Sequence, residues 1–354
     1  MHTDETPIPE QSRPTENPVP AARRAYSSAF FLPALLFIVD LIVIVLLRFL
    51  IDTSKSLALA YIVNFFPMYL VAFPCCVLAA RLVPKMPPEQ KKLKPWQLLS
   101  VIPVCQFLAI LGNIIGIIVN AILSVILGVN TSATFLQEGV FGEESILFIC
   151  IAVLCAPIVE ELLFRKLMID RIRQYGNGTA IIISGLLFGL FHGNFTQFFY
   201  AAMLGFLFAY IYTRTGKIHY TIILHMAMNF WGTAIPMLVT KKIDTNAFFE
   251  AVQDAMDALQ KYITSGQPMD EVNQQLSALL GDIKPLLIYS ACNYLLAFLG
   301  FIFLLIHRKR FRIDPPVTPL PTRTHLNVIF LNLGVLFALC ICVFQFINQI
   351  YGIL

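Results

Sequence analysis

Charge is what this 354-residue sequence has least of. Only 13% of its residues are Asp, Glu, Lys or Arg, while 58% are hydrophobic and the mean hydropathy is +0.75. Soluble domains carry about 25% charged residues, so an ordinary soluble domain and a disordered chain are both excluded. The net charge of +4 is small and its cations are scattered over short loops, which leaves no basic face for nucleic acid. Paired cysteine motifs are missing as well. The eight cysteines (75, 76, 105, 150, 155, 292, 340 and 342) all lie in apolar runs, and none shows CxxC spacing, so they read as small packing residues and not as a disulfide framework or zinc ribbon. The sequence also lacks an internal repeat, which argues against an inverted-repeat transporter.

What the chain does have is long apolar runs. Nine candidate spans fall at 29–50, 57–82, 98–127, 145–165, 179–194, 197–213, 219–239, 286–306 and 326–350. The expected fold is all-α: a polytopic transmembrane helical bundle of about 8–9 spans with an external helical hairpin. The third run is long enough to tilt or to break at Gly112 or Gly116. The fifth and sixth are short, and they read either as two spans or as one re-entrant hairpin. Four regions follow. Residues 1–28, with five prolines, read as a disordered cytoplasmic tail and not as a signal peptide. Residues 29–239 form a membrane domain. Residues 240–285 form an extracytoplasmic insert of two amphipathic helices, marked by Phe248, Val252, Met256, Leu259 and Ile263 and then Val272, Leu276, Leu279 and Ile283. Residues 286–354 form C-terminal membrane helices. With nine spans, the segments rich in Lys and Arg all face one side, which places the N-terminus in the cytoplasm.

Ionisable groups inside spans are costly, by at least about 2.5–3.5 kcal/mol for a mid-span acid, and so point to function. They concentrate in spans four to seven. Glu160 and Glu161 are adjacent on one helix, about 100° apart around its axis. Glu161 and Arg165 are i,i+4 and can pair, which leaves Glu160 on another face, turned into the bundle. Phe188 and His192 follow on a helix whose Gly185 and Gly189 permit close approach of a neighbour. His225 and Asn229 are i,i+4 and offer two hydrogen-bond donors toward one point, as an oxyanion requires. By contrast, Asp40 with Arg48 reads as buried or snorkelling polar groups, and Asn113 with Asn120 as interhelical hydrogen-bonders.

The ordered set Glu-Glu-xxx-Arg (Glu160, Glu161, Arg165), Phe-xxx-His (Phe188, His192) and His-xxx-Asn (His225, Asn229) resembles the CPBP/Abi group of intramembrane proteases. That group includes the type II CAAX prenyl endopeptidases and bacteriocin-processing or self-immunity proteins. The resemblance covers about 160–235, inside a protease core at about 145–239. It implies a bundle around a polar cavity and hydrolysis of a peptide bond in a membrane-associated protein or peptide, with the lipid bilayer as surroundings and a bacterial plasma membrane as location. It further implies that Glu160 and His192 activate water and that His225 and Asn229 bind the oxyanion. Glu161 and Arg165 would support the helix, and Phe188 would line the substrate cavity. Family usage calls these enzymes metalloproteases. Glu with two His is a zinc-type donor set, yet the compact His-Glu-x-x-His helix is absent, so zinc and no cofactor both stay open. The alternative function is a non-catalytic membrane immunity or scaffold protein on the same fold.

Overall fold

The computed structural model describes residues 17–128, 145–240, 245–265 and 269–351. The described residues are helical, without strands, as the apolar runs require of backbone that cannot hydrogen-bond to lipid. Among the described residues eight helical stretches are long and apolar enough to cross a membrane: α1 (Val19–Leu50), α2 (Ala58–Ala80), α3 (Pro95–Leu127), α4 (Ile146–Tyr175), α6 (Phe195–Thr215), α7 (Ile218–Thr240), the stretch Ile283–Arg310, made of the later part of α9 (Met269–His307) and the short turn after it, and most of α11 (Leu333–Tyr351). Between α4 and α6 lies α5 (Asn177–Leu190), whose 14 residues reach about 21 Å, short of the roughly 30 Å hydrocarbon core. The remaining helices are α8 (Thr245–Ser265) and α10 (Thr322–Phe330).

Several boundaries differ from expectation for physical reasons. The first helix begins at Val19, inside the stretch read as tail, because Pro20 fits a first turn and Tyr26 is fully buried. The fourth does not stop at Arg165 but runs on to Tyr175. Its charges past that point are satisfied inside the bundle. Lys166 pairs with Asp170 at 3.1 Å, the Tyr212 hydroxyl donates to Asp170 at 2.6 Å, and the Arg171 guanidinium donates to the carbonyls of Ala80 and Leu167. The third helix does not break at Gly112 or Gly116; its irregularity comes earlier, at Ser100 and Val101. The second insert helix and the eighth span are one continuous helix, α9 (Met269–His307), packed against α8. The last span starts at Leu333, not at 326. The Asn332 amide donates to the carbonyls of Val328 and Ile329, and its oxygen accepts from Val335 N–H, so it ends one helix and starts the next.

Small residues set the closest contacts. A Cβ on Gly205 of α6 would lie 2.9 Å from Gly185 Cα of α5, and one on Gly189 would lie 2.7 Å from the Phe198 carbonyl oxygen. The two helices therefore meet backbone to backbone, the means by which membrane helices gain packing without a hydrophobic drive. Gly112 and Gly116 serve α3 against α6 in the same way, and Asn120 donates to Thr196 Oγ1 across that contact at 2.9 Å. In the first span, Arg48 turns to the Asn64 side chain and not back to Asp40, a carboxylate 9% exposed.

The loops rich in Lys and Arg share one face and hold one another. Lys91 N–H donates to the Thr215 carbonyl and Thr318 N–H to the Gln174 carbonyl, both at 2.8 Å. Arg214 pairs with Asp314 at 2.6 Å, and the Tyr26 hydroxyl meets His325 Nε2 at 2.6 Å. These contacts fix the ends of α1, α4, α6 and α10 in one layer.

Candidate active site

Proline 157 and two wide turns shape the middle of α4. The segments Ile151–Cys155 and Leu162–Ile169 are π-helical, and a single α-helical stretch, Ala156–Glu161, lies between them. A π turn re-aims the side chains after it and tends to mark functional positions. The adjacent carboxylates Glu160 and Glu161 sit at the end of that stretch. Because α4 continues 14 residues beyond Glu161, both lie deep along the helix and not at a helix end.

Glu161 and Arg165 are both fully buried, with Glu161 Oε2 3.0 Å from Arg165 Nε. The contact joins opposite charges without hydrogen-bond alignment. The guanidinium is instead held by rings: its carbon lies 4.5 Å from the Phe188 centroid and 5.8 Å from that of Phe208. Stacking of this kind suits the planar, weakly hydrated guanidinium and would not suit an ammonium. The other Glu161 oxygen is 3.0 Å from His225 Nδ1 on α7. A carboxylate accepts only, so this ring nitrogen carries the proton. The opposite nitrogen, His225 Nε2, faces Glu160 Oε2 at 3.7 Å. Glu160 is a quarter exposed, in contrast to its sealed neighbour. Both acids thus reach the same imidazole, although the helical spacing puts them on different faces.

His192 follows the end of α5. Gly193 takes φ +67°, a left-handed turn that a side chain would strain, and Asn194 accepts from Gln197 N–H at 2.8 Å to cap α6. Since α5 is short, His192 stops inside the bundle at a depth that α4 and α7 also reach. Its Nδ1 lies 2.8 Å from the Phe188 carbonyl, which orients Nε2 as the free ring nitrogen. It stands within electrostatic range of Glu160 and His225. Phe188 ties the group together, with its ring roughly perpendicular to His192 at 5.1 Å and to His225 at 5.5 Å.

Asn229 stands one turn beyond His225, but its amide is already engaged. It donates to the Ala152 carbonyl at 2.8 Å, within the first π segment of α4. The expected pair of free donors is therefore reduced on the Asn229 side to the second N–H of the amide. The structure brings Glu160, Glu161, Arg165, Phe188, His192 and His225 together, with Asn229 anchored beside them. Sequence reasoning missed Phe208, which flanks both Arg165 and His225, the latter at 5.7 Å between ring centroids. It also missed the Ala152 carbonyl, which carries no side-chain signal at all.

A catalytic zinc takes three protein ligands at about 2.0–2.2 Å for His and carboxylate. Among the described residues no trio of His, Cys, Asp or Glu is placed to hold a metal ion, while the Nδ1 contacts of His192 and His225 leave Nε2 as the outward ring nitrogen of each, the one a metal-bound histidine would use.

Residues 142–231, which contain every side chain just described, match the family model of type II CAAX prenyl endopeptidase Rce1-like proteins. This segment is similar to that family. The resemblance expected from the ordered motifs is met in the part of the chain that carries them. The chain is also similar to the Bacillus subtilis (strain 168) protein named "Putative membrane peptidase YdiL", 33% identical over 84 residues. Those residues are 23% of this chain and 34% of that protein, so the chain spans about a third of the length of the curated relative it matches. No solved structure matches.

Proposed function

We propose that this chain is an intramembrane endopeptidase that hydrolyses a peptide bond of a membrane-associated protein or peptide. One observation carries the reading: a partly exposed carboxylate, Glu160, faces an imidazole fixed from behind by a buried ion pair. The split into one accessible acid and one sealed acid is what general-base chemistry in a low-dielectric site requires. The Rce1-like match and the peptidase name of the relative support a protease at the family level.

In this reading water sits between Glu160 and the free Nε2 of His192. Its oxygen adds to the scissile carbonyl carbon while its proton passes to Glu160. With a proton on each ring nitrogen, His225 donates from Nε2 to the oxyanion while Nδ1–H stays on Glu161, and the remaining N–H of Asn229 donates beside it, with Asn229 held to α4 through Ala152. Collapse of the tetrahedral intermediate breaks the C–N bond, and the proton on Glu160 moves to the leaving amine. Glu161 and Arg165 hold His225 in place and touch no reacting atom. The basic face is cytoplasmic in this reading, by the Lys and Arg bias of its loops.

The test is purified protein in detergent or vesicles, assayed on a library of membrane-anchored peptides with and without chelator. Cleavage by the native chain that Glu160→Gln abolishes is the expected result. Equal cleavage by both forms removes Glu160 from the chemistry. An immunity or scaffold phenotype that survives Glu160→Gln and His192→Ala together would favour the non-catalytic reading.

A further inference from the structure

A cavity opens on the basic face, away from the seven side chains above. It has a volume of about 290 Å³ and lies between the start of α3, the end of α9 and Tyr210 of α6. Its floor is apolar, with Val101 and Phe303 among the lining. Its mouth carries Gln97, His307 and Arg310. Trp96 and Phe311 flank the opening, 63% and 41% exposed, as amphipathic and aromatic side chains do at the boundary between hydrocarbon and water.

We infer that this cavity binds an anionic phospholipid, with its phosphodiester at the mouth and the upper part of one acyl chain on the floor. Charge accounting supports an anion. The nearby acids are occupied elsewhere: Asp314 pairs with Arg214 at 2.6 Å and Glu89 with Lys91 at 3.2 Å. Arg310 makes no ion pair among the described residues, and it sits in the run Arg308-Lys309-Arg310-Phe311-Arg312. A neutral donor fits as well: Gln97 uses its oxygen to accept from Lys94 N–H at 2.8 Å, which leaves its NH₂ to donate. His307 donates Nδ1–H to the Phe303 carbonyl at 3.0 Å and stacks on the Phe303 ring at 4.1 Å, so it forms a flat wall of the cavity and supplies no neutral donor. A cationic mouth over an apolar floor at the level of the basic loops matches an amphiphile with a charged head better than a wholly polar or wholly apolar ligand. The size suits a headgroup with a few methylenes.

The chain has two tryptophans, 96 and 231. Replacing the second (Trp231→Phe) leaves Trp96 as a reporter at the mouth of the cavity. The protein is reconstituted in vesicles of brominated-chain phosphatidylglycerol or phosphatidylcholine, and quenching of Trp96 is compared. Phosphatidylglycerol is expected to win by about fivefold in relative binding, the worth of one well-placed cation. Arg310→Gln should bring the ratio near one, Arg310→Lys should keep most of it, and Arg323→Gln, elsewhere on the same face, should leave it unchanged. Equal quenching by the two lipids overturns the proposal. So does an equal effect of Arg323→Gln, which would mean diffuse surface charge, or loss of the preference on adding inorganic phosphate, which would mean a free-phosphate site. Peptide hydrolysis plays no part in this readout.

Discussion

His225 is held between two consecutive residues of one helix, with Glu161 at Nδ1, 3.0 Å away, and Glu160 beyond Nε2 at 3.7 Å. The first carboxylate is sealed and the second is open, so the two should fail differently. Glu160→Gln is expected to lower turnover by at least about 100-fold and leave the melting temperature within a degree or two. Glu161→Gln strips the buried Arg165 of its counter-charge and should cost about 3–5 kcal/mol of stability. Thermal unfolding in detergent beside a cleavage assay separates them. A Glu161 variant as stable as the native chain would contradict the assignment.

Arg165 is expected to reject its nominally conservative replacement. Its guanidinium carbon lies over Phe188 and within 5.8 Å of the Phe208 centroid, and an ammonium has neither the plane nor the weak hydration to occupy that slot. Arg165→Lys should destabilise by about 2 kcal/mol or more. Phe208→Leu should reproduce a smaller part of that loss. A cycle of the two single variants and the double measures the coupling, which should exceed about 0.5 kcal/mol.

The meeting of α5 and α6 is the mechanical support of His192. A methyl group on Gly189 would press on the Phe198 carbonyl and on Ala202, and one on Gly205 on the Gly185 backbone. Gly205→Val is therefore expected to separate the helices and lose folded yield. Gly189→Ala, the milder change, should keep the fold while lowering activity more than stability. Equal loss of both in Gly189→Ala would show that the contact is structural alone.

Much of this site was readable in advance because charge is so rare in the chain. Glu160, Glu161, Arg165, His192 and His225 stand out against an apolar background, and the i,i+4 rule pairs two of them before any coordinates. The π turns were not readable, since no residue type announces a wide turn. Phe188 was readable by its place in a motif, but its role as spacer between two imidazoles needs three helices in position. Helix ends misled in both directions. Charges after Arg165 looked like a loop because their partners (Tyr212, Ala80) are distant in sequence. The continuity of α9 was hidden by Pro285 and by the polar surface of its first turns.

A pH effect is expected away from the site. Burial holds His325 below the ordinary histidine value, and its Nε2 meets the Tyr26 hydroxyl at 2.6 Å. The folded chain prefers the neutral ring, so its contribution is complete above the unfolded value of about 6.5 and is lost as pH falls below it. The melting temperature should drop on the order of 1–3 °C more between pH 7.5 and 5.5 in the native chain than in His325→Gln. Parallel curves would assign the effect elsewhere.

The brevity of α5 has a consequence at the far end of the chain. Where that helix stops, Gln345 of α11 lies against Gly193, and the Phe346 ring packs at a tilt against Phe195 with centroids 4.5 Å apart. The last transbilayer segment thus roofs the tip that bears His192. A chain cut down to the matched segment 142–231 would leave that imidazole without this cover. The matched segment does not enclose the site by itself, and Gln345 and Phe346 of α11 belong to its architecture as much as the motifs do.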